Sequence, residues 1–194
     1  MPNAVKTAAS SFEQAVKFLE EEHYSFQKRP DGTILVDSSM DIANRGFHEL
    51  PDLSCVIVTG NFYCQDNLLT SLKGAPQEVR GGFWCYNNQL ASLEYAPRGV
   101  TTQFICGRNK LTSLEHAPAE IAGDFTCEKN NLASLDHAPR KFHSLQTDFG
   151  RFDKWDDVPE RLRTSAETKA EMAADAVKLR GDIRVAKPLV FRKP

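Results

Sequence analysis

The sequence predicts a solenoid, a fold in which a short repeated unit coils into a stack. The pattern Phe-x-Cys-x-x-Asn-x-Leu-x-Ser-Leu-x-x-Ala-Pro occurs four times between Phe62 and Pro139, and each copy begins 21 residues after the last. Self-similarity at such a period is typical of repeat architectures, because each unit buries its apolar face only against its neighbours. We therefore predict a solenoid with a helical cap at each end.

Degenerate copies extend the array on both sides. Before it, Met40 and Ile42 stand at the phenylalanine and cysteine positions, and Phe47 and Leu50 stand at the two leucine positions. After it, six residues match the repeat positions in order: Leu145, Thr147, Gly150, Phe152, Trp155 and Pro159. The steps into these copies are 22 and 20 residues rather than 21. Terminal repeats are expected to be atypical because they close the hydrophobic column, so six units are predicted over residues 40–159.

The segments outside the array are predicted to cap it. Residues 1–10 are predicted to be loose, and a helix is predicted from Ser10 or Ser11 to about Phe26, with Ser11 as its N-cap. A turn and a short strand over residues 33–36 complete an N-terminal cap of residues 1–39. Within the C-terminal unit, residues 160–194, a second helix is predicted up to Gly181, and the structure of the tail after it is left open.

The repeat resembles the leucine-rich repeat, in its short bacterial and phage variety that closes each unit with Ser-Leu-x-x-Ala-Pro. Its Phe, Cys, Asn and following Leu match the pattern L-x-x-L-x-L-x-x-N/C-x-L, with an aromatic residue and cysteine in place of two strand leucines. The resemblance covers residues 40–159. It implies an α/β solenoid that is curved and right-handed, in which each unit gives one short parallel strand to the concave face.

The repeated positions predict what fills the interior. Phe and Cys alternate, so both point to the same face of a strand, and a free thiol packs like a small buried hydrophobe. A metal site or a disulfide framework is the weaker alternative, because no C-x-x-C pair occurs. The repeated asparagine is predicted to stack as a ladder whose amides satisfy backbone groups where each strand ends.

Composition and motifs argue against several classes of function. The chain of 194 residues has a net charge of −2, which gives no general attraction to nucleic acid or anionic membranes. It contains no apolar run long enough to span a bilayer and no apolar core of a secretory signal, so a cytoplasmic location is expected, with delivery into a host cell left open. Phosphate-binding glycine loops, G-x-S-x-G and H-E-x-x-H are missing from the sequence. We therefore expect neither an enzyme nor a cofactor.

Candidate binding residues lie at the variable, outward-facing positions. They are the residues beside each cysteine and in the turn that follows it: Tyr63, Trp84, Tyr86, Ile105, Arg108, Lys110, Glu128 and Lys129. Exposed Tyr and Trp on a rigid surface are typical of protein-binding hot spots, and the charged residues would form a polar rim. Two alternatives are that strand propensity alone placed the aromatic residues here, or that the C-terminal tail folds back over them.

A second outward column is formed by Tyr95, His116 and His137, which share one repeat position with Gly74. Two stacked histidines could bind a metal ion, but no carboxylate or cysteine joins them at that position. We therefore interpret this column as a solvated row on the outer loops.

These observations predict a non-catalytic protein that binds another protein through a concave aromatic patch. The resemblance to phage and bacterial arrays suggests a mobile-element inhibitor of a host complex, or an effector without an enzyme domain. The alternative is an adaptor or inhibitor that acts through its C-terminal helix and tail, with the solenoid as a rigid scaffold. A homodimer through the aromatic patch is also left open.

Overall fold

The computed structural model describes residues 3–164, and within that range the chain forms a β-solenoid of about five turns with few helices. The solenoid is therefore confirmed. Between residues 40 and 154 the chain forms strands, turns and loops and no helix, so the turns do not carry the helical segment expected of an α/β repeat. Most of the predicted helix over 160–180, its Gly181 cap and the tail lie outside the described residues.

One helix, α1 (Asn3–Glu21), precedes the strands. It starts earlier than predicted, so Ser11 is not its N-cap but lies within it and donates a hydrogen bond from Oγ to Asp52 Oδ2 at 2.7 Å. It also ends before Phe26, because His23 adopts a left-handed φ of 59° and the Tyr24 N–H bonds to the Leu19 carbonyl. Helix α1 buries Ala15 and Leu19 in the hydrophobic core.

Eleven short strands follow within the described residues. They are β1 (Gln27–Lys28), β2 (Ile34–Val36), β3 (Met40–Asp41), β4 (Val56–Val58), β5 (Phe62–Tyr63), β6 (Glu78–Val79), β7 (Phe83–Trp84), β8 (Phe104–Ile105), β9 (Asp124–Thr126), β10 (Ser144–Thr147) and β11 (Gly150–Phe152). A 3-10 turn (Trp155–Asp157) and a one-turn helix, α2 (Glu160–Arg163), complete the described chain.

The strands form two sheets, and the larger one contains the repeated Phe-x-Cys segments. Its order is β11-β10-β9-β8-β7-β5-β3, and all pairings are parallel except that of β10 with β11. Phe62 pairs with Phe83, Phe83 with Phe104, and Phe104 with Phe125. The four phenylalanines are fully buried, and successive rings lie 5.3–5.8 Å apart between centroids. The predicted inward column of aromatic rings is thus observed.

The second sheet was not predicted. Its order is β1-β2-β4-β6, and isolated parallel bridges at Glu78–Arg98 and Glu120–Lys141 show the same type of pairing in later turns. Val36, Val58 and Val79 of this sheet are buried, and Val100 and Ile121 continue the same buried column in later turns. This spacing was visible in the sequence, but single valines between polar residues give no strand alternation by themselves.

The degenerate copies keep the register of the array. Met40 pairs with Phe62, and Leu145 pairs with Phe125. After Thr147, however, the chain turns back as a hairpin into β11 instead of continuing the coil, with Thr147 opposite Gly150. Gly150 therefore does not occupy the place of a ladder asparagine, although Phe152 and Trp155 still pack against the core.

The asparagine ladder is observed. Asn88, Asn109 and Asn130 each accept a hydrogen bond from a leucine N–H of the preceding turn, at 2.9–3.0 Å. Their Nδ2 groups donate to cysteine carbonyls of their own turn and of the preceding one, at 2.9–3.2 Å. Each amide therefore joins two neighbouring turns through the backbone.

Gly74 departs from the other copies for a reason that the structure makes clear. It shares a left-handed turn position with Tyr95, His116 and His137, and all four have φ between 62° and 89°. A Cβ at Gly74 would lie 2.8 Å from the Pro51 carbonyl oxygen. The backbone of the preceding copy thus leaves no room for a side chain at this position.

A candidate protein-binding face

The parallel register places three of the predicted binding residues side by side. Tyr63 pairs with Trp84, and Trp84 pairs with Ile105, on the face of the larger sheet opposite the buried phenylalanines. All three are partly exposed. The Tyr63 and Trp84 rings stack with centroids 4.7 Å apart and an angle of 30° between their planes. We call Tyr63, Trp84, Tyr86 and Ile105 the aromatic strip.

The stacked pair is held in place by groups around it. Asn61 Nδ2 donates to Tyr63 Oη at 2.8 Å, and Asn61 Oδ1 accepts the Gly82 N–H at 2.8 Å. The Trp84 ring lies directly over Gly82, so that a Cβ at this glycine would collide with the indole. Tyr63 is thus restrained by a hydrogen bond, and the Trp84 ring is restrained by the close approach to Gly82 beneath it.

Tyr86 lies in the adjacent column, next to the turn that follows each strand. Partial burial and then the nearby Asp66 carboxylate, which also hydrogen-bonds the phenol, raise the pKa of Tyr86 above its ordinary value. Asp66 Oδ1 in turn accepts a hydrogen bond from Asn87 Nδ2 at 2.6 Å. The Tyr86 side chain is thus held through its hydroxyl by Asp66, and its ring remains partly exposed beside the other aromatic residues.

The charged candidates lie at the end of the strands. Arg108 and Lys129 occupy the same left-handed turn position in neighbouring turns, with φ of 54° and 57°. Lys110 lies two residues after Arg108, and its Nζ donates to Gln89 Oε1 at 3.0 Å. Glu128 lies between Cys127 and the turn residue Lys129, and its Oε2 accepts a hydrogen bond from Gln146 Nε2 at 2.9 Å. We call Arg108, Lys110 and Lys129 the basic corner.

The loops on the other side of each turn form a shallow cleft of about 490 Å³. Tyr95, His116 and Arg98 contribute to its lining. His116 Nε2 lies 4.0 Å from Glu115, and His137 Nε2 lies 3.8 Å from Asp136. Within residues 3–164, no three His, Cys, Asp or Glu side chains come together in an arrangement that could hold a metal ion.

The repeat cysteines point into the core. Cys64, Cys85, Cys106 and Cys127 are fully buried and free, and burial raises the pKa of each thiol well above its ordinary value of 9.0. Cys55 is partly exposed, and desolvation raises its pKa as well. A neutral buried thiol is a poor nucleophile and a poor metal ligand, so the four act as small apolar side chains.

Comparison with known proteins gives no assignment: no protein-family model, curated protein or solved structure matches this chain. In the part of the chain that the structure describes, no helix is both long and apolar enough to cross a bilayer.

Proposed function

We propose that this protein is a non-catalytic binding module that recognises a partner protein through the aromatic strip. The observation that carries the proposal is the stacked Tyr63–Trp84 pair, which lies partly exposed on a regular sheet with Ile105 next to it in register. Trp and Tyr are the residues most enriched among binding hot spots, particularly where their conformation is fixed before the partner arrives. Since Asn61 and Gly82 already restrain these rings, binding would cost less side-chain ordering than it would for freely rotating ones.

The proposed fold subtype is the short leucine-rich repeat of bacterial and phage proteins. The asparagine ladder and the inward Phe-Cys strands support it. The second sheet, made of β1, β2, β4 and β6, was not expected from that resemblance, so the proposed subtype must also explain it. A role as an inhibitor of a host complex, or as an effector, follows from this resemblance and belongs to the same proposal.

The test is capture of a partner from extracts of the native cell and of its host, comparing the wild-type protein with a Trp84→Ala, Tyr86→Ala double variant. Hot-spot truncations of this kind cost about 2 kcal/mol or more in binding free energy, roughly a thirtyfold loss of affinity. The partner identified by mass spectrometry should therefore be lost from the variant. Circular dichroism and urea unfolding of the variant check that the fold persists.

A matched control changes an exposed aromatic residue away from the strip. Tyr95→Gly is suited to this, because Tyr95 is 54% exposed on the loops and Gly74 already occupies the same turn position. Capture should be unchanged in this variant and in a chain that lacks residues 182–194. If the double variant captures the partner as well as wild type, the strip is not the binding site; if only the shortened chain fails, the tail carries the interaction.

A further inference from the structure

The left-handed turn after each strand shows a change of residue type that the backbone does not explain. In the first three turns the position is Asn44, Asp66 or Asn87, and in the next two it is Arg108 or Lys129, with φ between 53° and 57° throughout. Asn and Asp tolerate this conformation through local hydrogen bonds, whereas for other L-residues it costs about 1–2 kcal/mol. Arg and Lys are therefore unfavourable choices for the turn itself.

The two cations are also unfavourable neighbours. They occupy equivalent positions on adjacent turns, where paired strands lie about 4.8 Å apart, and like charges directly opposite one another destabilise a sheet. Lys110 adds a third positive charge two residues further on. In the described part of the chain, none of the three forms a salt bridge, although six salt bridges of other Lys and Arg residues occur within it.

Two carboxylates of this region, those of Glu128 and Asp148, accept hydrogen bonds from uncharged donors and form no salt bridge within the described residues. Glu128 accepts from the Gln146 amide at 2.9 Å. Asp148 accepts from the backbone N–H groups of Lys129 and Asn130, at 2.7 and 3.2 Å. Arg108, Lys110 and Lys129 are all exposed. The basic corner therefore presents side-chain charge to the solvent at the edge of the aromatic strip, where an anionic group of a partner would relieve the repulsion between the cations.

The spacing between the two surfaces limits the shape of such a partner. Arg108 follows Ile105 by three residues, a separation of at most about 10 Å because the chain turns at Arg108, and Gly107 between them carries no side chain. An extended peptide covers the same distance with about three residues of its own. An apolar or aromatic side chain seated on Trp84 and Ile105 would thus place residues three or four positions away over Arg108 and Lys129.

We propose that the partner contributes an extended acidic segment, in which an apolar or aromatic anchor is followed or preceded, three to four residues away, by Asp or Glu. The anchor packs on the aromatic strip, and the carboxylates pair with the basic corner. This inference rests on the proposed function and adds to it the chemistry of the partner. Arginine at this turn also allows a bidentate pair with a carboxylate, which favours one orientation of the segment.

The probe is a displayed library of random peptides of about twelve residues, selected on three forms of the full chain. These forms are the wild type, Trp84→Ala, and the double variant Arg108→Asn, Lys129→Asn. Asparagine is the matched replacement because it occupies the same turn in Asn44 and Asn87, so the fold is expected to be retained or stabilised. Enriched peptides are then synthesised, and their affinities are measured at low and high salt, with oligo(dT) as a nucleic-acid control.

On wild type, the expected enrichment is for an aromatic or apolar residue with Asp or Glu three to four positions away. The Arg108→Asn, Lys129→Asn variant should keep the anchor preference, lose the acidic one, and bind an enriched peptide about 3- to 10-fold more weakly, the range for exposed ion pairs. That difference should shrink at high salt.

Other results would overturn the inference in distinguishable ways. Enrichment that depends on Trp84 but lacks acidic residues would refute the acidic segment and leave the proposed function standing. Enrichment that is the same on Trp84→Ala, or no enrichment, would refute both. Binding of oligo(dT) more tightly than the best peptide would also refute both, in favour of a nucleic-acid ligand.

Discussion

Replacing Asn109 by alanine tests the hydrogen-bond ladder that joins successive turns. Asn109 is 8% exposed, and its side chain makes bonds to two turns at once. Its Oδ1 accepts the Leu90 N–H at 2.9 Å, and its Nδ2 donates to the carbonyl oxygens of Cys85 and Cys106 at 3.0 and 3.1 Å. Alanine removes all of these side-chain hydrogen bonds at a buried position.

The expected loss follows from the groups left without a partner. The Leu90 N–H is a buried donor, and a buried donor without an acceptor costs about 1–3 kcal/mol. The two carbonyls lose one donor each, which adds a smaller penalty because a carbonyl oxygen has a second lone pair. We expect the free energy of unfolding to fall by about 2–4 kcal/mol in total.

Urea unfolding followed by circular dichroism measures this loss, and two variants calibrate it. Asn131→Ala removes an exposed amide one turn further on and should change stability by less than about 0.5 kcal/mol. Asn130→Ala removes a partly exposed ladder amide with equivalent bonds, and water should recover part of the loss there. A change for Asn109→Ala no larger than that for Asn131→Ala would refute the view that the ladder stabilises the stack.

Two further predictions concern the core thiols and the sheet edge. Because the unfolded thiols ionise near pH 9.0 while burial raises the pKa of those in Cys64, Cys85, Cys106 and Cys127, the folded chain holds up to four more protons above pH 9. The free energy of unfolding should then fall by up to about 5 kcal/mol per pH unit above pH 9, and it should fall less steeply in Cys85→Ala. Urea titrations at pH 8 and pH 10 in the presence of reductant measure this change. Equal stabilities at the two pH values would contradict the prediction. At the edge of the larger sheet, the Tyr24 hydroxyl accepts the Asp41 N–H and donates to its carbonyl, at 2.9 and 3.0 Å. Tyr24→Phe should lower the free energy of unfolding by about 1 kcal/mol and expose this edge to self-association, which sedimentation at high protein concentration would detect. A variant that stays monomeric would show that the hydroxyl does not protect the edge.

The interior of the array could be read from the sequence because its signals repeat. Phe62, Cys64 and Leu72 lie at positions that recur every 21 residues, and all three are fully buried. The role of the asparagines followed from the same recurrence, since an amide at one fixed place in every turn meets the same backbone groups each time. The side-by-side placement of Tyr63, Trp84 and Ile105 needed only strand alternation and the parallel register.

Other features depended on contacts between distant parts of the chain. The second sheet consists of strands only two or three residues long, whose hydrogen bonds come from the neighbouring turn, so local propensity barely specifies them. The stacking of Trp84 on Tyr63 required Gly82 beneath the indole, and the hydrogen bonds of Glu128 to Gln146 and of Asp148 to the Lys129 N–H join different turns. No short-range pattern encodes either arrangement.

By itself, then, the sequence determined that the chain coils with a fixed period, which side chains fill the coil, and which ones face outward. Only the tertiary structure decided that the coil has two strand faces, that it ends in a hairpin after Thr147, and that α1 begins before Ser11. The physical reason is that periodicity specifies which residues meet their own copies in the next turn. It says nothing about groups that occur once, such as His23 at the end of α1 or Tyr24 at the sheet edge, whose partners are fixed by packing alone.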